Sequence, residues 1–206
     1  MPRAGTRSIR KADDRTVVIE IAQGQGWQVA GKITCTFLPQ CTIRADYEME
    51  FDADYKDFNT LVSAYFHEAT LPYLRIAGEW QQVALPDQMQ HRFWCRSQQD
   101  LGDFRKALDA MNADYAGSGF PDLISVDDLT WEEPVMVNTT RNTGWAVAMW
   151  FDKNVRSVSA NVRWQAHDFS IGGFDVKKGE SIMSTLYMAY RKIGNMDDLL
   201  KAPAAR

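Results

Sequence analysis

Residues 41–53, CTIRADYEMEFDA, carry the pattern that most narrows what this chain can fold into. Ile43, Ala45, Tyr47, Met49 and Phe51 share one phase of a two-residue period, and Thr42, Arg44, Asp46, Glu48 and Glu50 share the other. Successive side chains of a β-strand point to opposite faces, so the pattern is a long strand with one buried and one solvated, acidic face. Such a strand needs neighbours for its backbone and a second layer over its apolar side.

Strand-like runs recur along the chain. TVVIEIA (16–22) is β-branched, and WQVAGKITCTFLP alternates. LPYLRIAGEWQQVALP, MQHRFWCRS and SVDDLTWEEPVMVNTT follow, with WAVAMWF a fully apolar run suited to a central strand. RSVSANVRWQAHDF alternates again, and IMSTLYMAYRKIG reads as the final strand. Two segments change period. In DYKDFNTLVSAYFHEA, Phe58, Leu61, Val62, Tyr65 and Phe66 follow helical spacing, which predicts a short helix. In DLGDFRKALDAMNADYA, Leu101, Phe104, Leu108 and Met111 do so, with Asp100 as the predicted N-cap. SIGGFDVKKGES reads as a long turn. The expected fold class is mainly β: a two-sheet antiparallel β-sandwich with one or two short helices. The expected organisation is an N-terminal arm over 1–15, a single sandwich domain over 16–194 and a tail over 195–206. An α+β domain with its helices on one face of a single sheet is the alternative.

Composition limits the function classes. A formal net charge of −4 argues against nucleic acid as a partner. Nothing approaches the roughly 18 uninterrupted apolar residues of a membrane span. The opening MPRAGTRSIRKADDR has no apolar stretch of the secretory kind. Three cysteines, Cys35, Cys41 and Cys95, are an odd, sparse set that fits a reducing, cytoplasmic setting. A Cys35–Cys41 bridge across TFLPQ is the alternative. There is no CxxC, and the three histidines lie far apart, so no metal site is expected. Phosphate-loop and dinucleotide signatures are missing as well, and no cofactor is expected. Of the seven tryptophans, seven tyrosines and ten phenylalanines, most are expected in the core. Aromatic faces left over from a core suit the apolar face of a sugar.

The order of YFHE, PYLRIAGEW, HRFWCRS, EEPVMV and GWAVAMWF, closing on WQAHDFSIGGFDVKKGESIMSTLYM, resembles the galactose-mutarotase-like carbohydrate β-sandwich. This fold is shared by sugar epimerases and by domains of polysaccharide lyases and hydrolases. The resemblance covers about half the chain and is one of spacing. It implies a two-sheet fold and a carbohydrate ligand, and it carries over no complete set of epimerase catalytic residues.

Several residues are candidates for that chemistry. On a strand through MQHRFWCRS, Arg92, Trp94 and Arg96 share a face, two cationic forks around an indole that would hold a sugar or uronate. The competing reading has the arginines paired to surface acids and Trp94 covering the core edge. Tyr73, Arg75 and Glu79 share a face if no bulge intervenes at Gly78, with Glu79 a candidate acid or base and Arg75 its partner. An ordinary cross-strand ion pair is the other reading. His67 is a candidate proton donor, or a cation at a helix end. Asp127, Asp128, Glu132 and Glu133 surround Trp131 in DDLTWEEP, as an acid–base pair, as oxygen ligands for Ca²⁺ without a recognisable loop motif, or as a solvated acidic loop. His167 and Asp168 fall on opposite phases. His167 joins Arg163 and Gln165 on a polar face that is either solvent surface or groove floor, and Asp168 is expected to cap the turn that follows.

These observations predict a carbohydrate-active protein. Its expected catalytic candidates are His67, Glu79 and His167, and its expected substrate-binding residues Arg75, Arg92, Trp94, Arg96 and Arg163. Whether it is an enzyme is left open. The alternatives are a non-catalytic carbohydrate-binding module and a homo-oligomeric assembly subunit whose spare aromatics serve an interface.

Overall fold

The computed structural model describes residues 6–200, apart from 25, 67–69, 84–90, 115, 117–122, 132, 141–142 and 162–165. Its strands are β1 (Arg7–Lys11), β2 (Thr16–Ile21), β3 (Val29–Leu38), β4 (Thr42–Phe51), β5 (Tyr55–Tyr65), β6 (Thr70–Ile76) and β7 (Glu79–Gln82). There follow β8 (His91–Cys95), the helix α1 (Gln98–Asp114), β9 (Ile124–Val126), β10 (Val135–Thr140) and β11 (Trp145–Phe151). The chain continues through β12 (Val155–Asn161), β13 (Ala166–Val176), β14 (Ser181–Lys192) and a 3-10 turn at Met196–Leu200. The strands form a nine-stranded and a five-stranded sheet, and the fold is a mainly-β sandwich. The chain divides into two compact units, 1–60 with 142–154 and 172–206, and 61–141 with 155–171.

In the first unit the strand order is β1-β2-β3-β4-β14-β11, antiparallel throughout. Residues 7–11, within the stretch read as an arm, form β1 against β2. The alternation of 42–51 is realised in β4, where Ala45, Met49 and Phe51 are buried and Arg44 and Glu50 exposed. Tyr47, on the same apolar phase, packs its ring 6.5 Å from Phe151, and burial pushes its phenol up to about 12. Phe51 meets Phe58 of β5 edge to face at 4.7 Å, with Trp27 and Tyr55 around them. Burying one such phenylalanine stabilises by about 2–3 kcal/mol. All three cysteines are free thiols, so no Cys35–Cys41 bridge forms.

Two sequence expectations fail here for local reasons. DYKDFNTLVSAYF is a strand, not a helix: Phe58 and Thr60 are buried while Asn59, Leu61, Ser63 and Tyr65 are exposed. The helical spacing of its apolar residues was fortuitous, because Leu61 and Tyr65 face solvent. SIGGFDV is likewise strand rather than turn. Gly172 stands at φ 121°, and a Cβ there would lie 2.2 Å from the Phe58 carbonyl oxygen. The glycine permits close approach of two backbones; it does not break the strand.

The second unit contains β10-β6-β7 from the larger sheet and β12, β8 and β9 from the smaller, with the first half of β13. The Gly78 position that raised the prospect of a bulge is a two-residue hairpin turn, Ala77 at φ 52° and Gly78 at φ 80°, between β6 and β7. α1 begins one turn earlier than predicted. Ser97 caps it, its hydroxyl accepting the Asp100 N–H at 3.0 Å and donating to the Asp100 carboxylate at 2.6 Å. Leu101 is buried, and the Phe104 ring lies 4.6 Å from Phe93 on β8. Arg156 ties the helix to β12 through Asp100 at 2.8 Å and Asp103 at 3.2 Å.

Candidate functional site

In the second unit, register brings three predicted residues onto one surface. Ala160 of β12 lies opposite Arg92 of β8 on one side and His167 of β13 on the other. Val158 lies between Trp94 and Phe169 in the same way. Directly opposed residues share a face, so Arg92, Ala160 and His167 form one row and Trp94, Val158 and Phe169 the next. Trp94, Val158, Ala160, Phe169 and His167 are all buried, as are Cys95, Ser157, Ser159 and Asn161 on the opposite phase, so both faces of β12 are covered.

Trp94 is 2% exposed and is therefore not an open stacking platform. The Arg92 guanidinium sits over its ring, 5.2 Å from the centroid, and is ion-paired with Asp127. Asp127 is held in turn. Its N–H donates to the Phe93 carbonyl at 2.8 Å, and its second carboxylate oxygen accepts the Leu129 N–H at 2.8 Å. The parallel pairing of β8 with β9 puts this carboxylate beside Arg92. A hollow of about 60 Å³ is bordered by Arg92, Trp94, Asp127, Ile76, Gln81 and Gln82. A water occupies roughly 30 Å³ and a whole small-ligand pocket runs from roughly 300 Å³, so this space admits one or two water-sized groups. The Trp94 indole Nε1 is buried and has no hydrogen-bond partner among the described residues.

His167 is 5% exposed, with the Phe66 ring 5.8 Å away. Burial alone pushes its imidazole down to about 4, so it is neutral at pH 7 and gives no proton there. It lies in the interior, neither on the solvent surface nor on an open groove floor. Its expected companion Arg163, with Gln165, and the candidate His67 lie outside the described residues.

The remaining candidates disperse. Arg75 pairs with Glu133 at 3.3 Å instead of Glu79, which stands exposed at the start of β7 opposite Ile76. Arg96 lies beyond the end of β8 and donates to the Val155 carbonyl at 3.3 Å, away from the Asp127 carboxylate that holds Arg92. Its Nε is buried without a partner among the described residues, and burial lowers its pKa. The acidic cluster of DDLTWEEP is taken apart in the same manner. Asp127 faces Arg92, Asp128 faces Arg105 and Glu133 faces Arg75, while Glu132 lies outside the described residues. Asp168 caps no turn: it sits within β13 and accepts from Ser63 and, at 3.4 Å, from Ser159. Among the described residues, no group of three His, Cys, Asp or Glu is placed to hold a metal ion. No helix there is long and apolar enough to cross a membrane.

Sequence reasoning missed Asp127 as the partner of Arg92, and it missed Gln81, Gln82 and Asn138. Asn138 is buried in β10, and neither amide atom has a partner among the described residues. An amide inside the apolar run PVMVNTT was the available signal.

No protein-family model matches the chain, and no curated protein matches it by sequence. Solved structures do. A candidate aldose 1-epimerase from Escherichia coli K12 superposes over 92% of this chain and 69% of its own, at 10% identity and a TM-score of 0.53. The aldose epimerase homologue of C. elegans does so over 91% and 69%, at 5% identity and a TM-score of 0.51. The fold is galactose-mutarotase-like. A TPR-domain containing protein from Parabacteroides distasonis superposes over 98% of this chain and 37% of its own, at 11% identity and a TM-score of 0.51. Within this mutarotase-like fold, Arg92, Trp94 and Asp127 border one small hollow, and the Trp94 indole N–H is one of the buried groups without a partner among the described residues.

Proposed function

We propose that the chain binds a neutral carbohydrate, and that the hollow at Arg92, Trp94 and Asp127 receives one of its hydroxyl or hydroxymethyl groups. The observation that carries this reading is the Trp94 indole N–H, buried and without a partner among the described residues. Leaving such a donor unmet costs about 1–3 kcal/mol, which a ligand oxygen would recover. A hydroxyl both accepts and donates, so it would hydrogen-bond to the Asp127 carboxylate and, with a small shift of the Trp94 ring that opens its buried N–H to the hollow, accept from that N–H. The volume of about 60 Å³ suits such an arm and not a sugar ring. Asp127 already balances the Arg92 charge. A uronate carboxylate would add a second negative charge beside it, so neutral sugars are preferred. The likeness to epimerase folds supports a sugar as ligand class.

Binding without turnover is the form we favour. Acid–base catalysis needs groups that exchange protons near the working pH. His167 stays neutral down to about 4, and Glu79 stands at the exposed end of a hairpin. Isothermal titration with neutral hexoses and their uronates tests the proposal. A neutral hexose that titrates, with its uronate about tenfold weaker or worse, supports it. No heat with any sugar at millimolar concentration overturns it.

A further inference from the structure

Four strands end the two sheets, and three of them are protected. β1 is Arg7-Ser-Ile-Arg-Lys11, exposed at every residue and carrying three cations. β7 has four residues and opens on Glu79, and β9 has three. Charge and shortness are the usual means of keeping a strand edge from pairing with another chain. β5 has neither. It runs eleven residues and ends the five-stranded sheet beside β13. Its stretch 59–65, NTLVSAY, has no charge and no proline. Leu61 and Tyr65 are 57% and 67% exposed, with Ser63 between them on the same phase.

We propose that residues 61–65 of β5 pair antiparallel with the same strand of a second copy, about a two-fold axis at Ser63. This register is self-complementary. Leu61 faces Tyr65 of the partner subunit, Tyr65 faces Leu61 of the partner subunit, and the two serines meet at the axis. An aliphatic–aromatic pair directly across two strands is a favourable contact, and no like charges are opposed within the stretch. Among the described residues, the Asp168 carboxylate is bonded to Ser63 from the next strand in. The two copies of it would lie three strand spacings apart, roughly 14 Å, beyond a screening length of roughly 8 Å. Because the described strands offer one such edge and the pairing is isologous, it closes as a dimer and does not propagate. The inference is independent of the sugar reading.

Sedimentation velocity of the full chain from low micromolar to high micromolar concentration tests it. Expected is a reversible monomer–dimer equilibrium. The double variant Leu61→Lys with Tyr65→Lys should weaken it about tenfold or more while leaving the circular dichroism and the melting midpoint in place. A wild-type chain that stays monomeric throughout, or a double variant that dimerises undiminished, overturns the proposal. The register has its own test in a Cys41→Ser background. Opposed residues at a two-fold have Cα atoms roughly 4.5–5.5 Å apart, within reach of a disulfide. Ser63→Cys should therefore oxidise to a covalent dimer, and Lys11→Cys on the β1 edge should not. Failure of Ser63→Cys to bridge, or equal bridging at Lys11→Cys, contradicts the two-fold pairing.

Discussion

Trp94 and Trp131 are buried in the same unit to almost the same degree, 2% and 0% exposed. Their indole nitrogens differ. Trp131 donates to the Val135 carbonyl at 3.0 Å, and its ring lies 5.9 Å from that of Phe169. Trp94 has a guanidinium over its ring, a carboxylate nearby and no acceptor for its N–H among the described residues. Equal burial with unequal satisfaction separates a tryptophan whose donor is met within the core from one whose donor is not, the one proposed to meet a ligand. Aromatic content alone does not make that distinction, since both residues sit in polar-looking segments, HRFWCRS and DDLTWEEP.

Substitutions sharpen the contrast. The largest effect is expected at Asp127→Ala, which leaves the largely buried Arg92 guanidinium without its carboxylate. The loss should be about 3 kcal/mol, read from urea unfolding; a loss below about 1 kcal/mol would mean that solvent, not Asp127, meets the charge. Nearly as large is the effect of acid through His167. The unfolded chain takes up a proton near pH 6.5 that the folded imidazole refuses until about 4. Stability is therefore full above pH 6.5 and falls by about 3 kcal/mol as pH drops to 4. His91, also lowered by burial, adds to the same trend. His167→Leu should flatten most of the slope between pH 6.5 and 4, and an unchanged slope would place its cause elsewhere. Next comes Trp131→Phe, which strands the Val135 carbonyl and should cost about 1–2 kcal/mol more than Trp94→Phe, where no bond is lost. Equal costs for the two would erase the comparison.

The architecture was legible where the two-residue period was strong. The alternation of 42–51 is the alternation of β4, and the apolar run at 145–151 is β11. It was illegible where apolar residues fall on the exposed phase, as Leu61 and Tyr65 do in β5, because burial depends on what covers each face. A glycine pair was misread as a turn because Gly172 answers to the Phe58 backbone, a contact distant in sequence. At the site, strand phase correctly put Arg92 and Trp94 together, but it could not show that Asp127, 35 residues on, neutralises the arginine. Nor could it show that His167 is buried. The pairing of arginines with carboxylates was also misassigned, Arg75 choosing Glu133 over the nearer Glu79. Charge pairing across a fold is set by tertiary packing, and sequence distance is a poor guide to it.

The indole N–H resonances offer the most direct test of the central claim. In a nitrogen–proton correlation spectrum of the labelled protein, Trp94→Phe identifies the Trp94 signal and Trp131→Phe that of Trp131. Titration with the neutral hexose that binds most tightly should shift the Trp94 indole proton downfield, as its donor finds an oxygen, and leave Trp131 in place. A saturating sugar that moves other resonances while the Trp94 indole stays still would contradict the account.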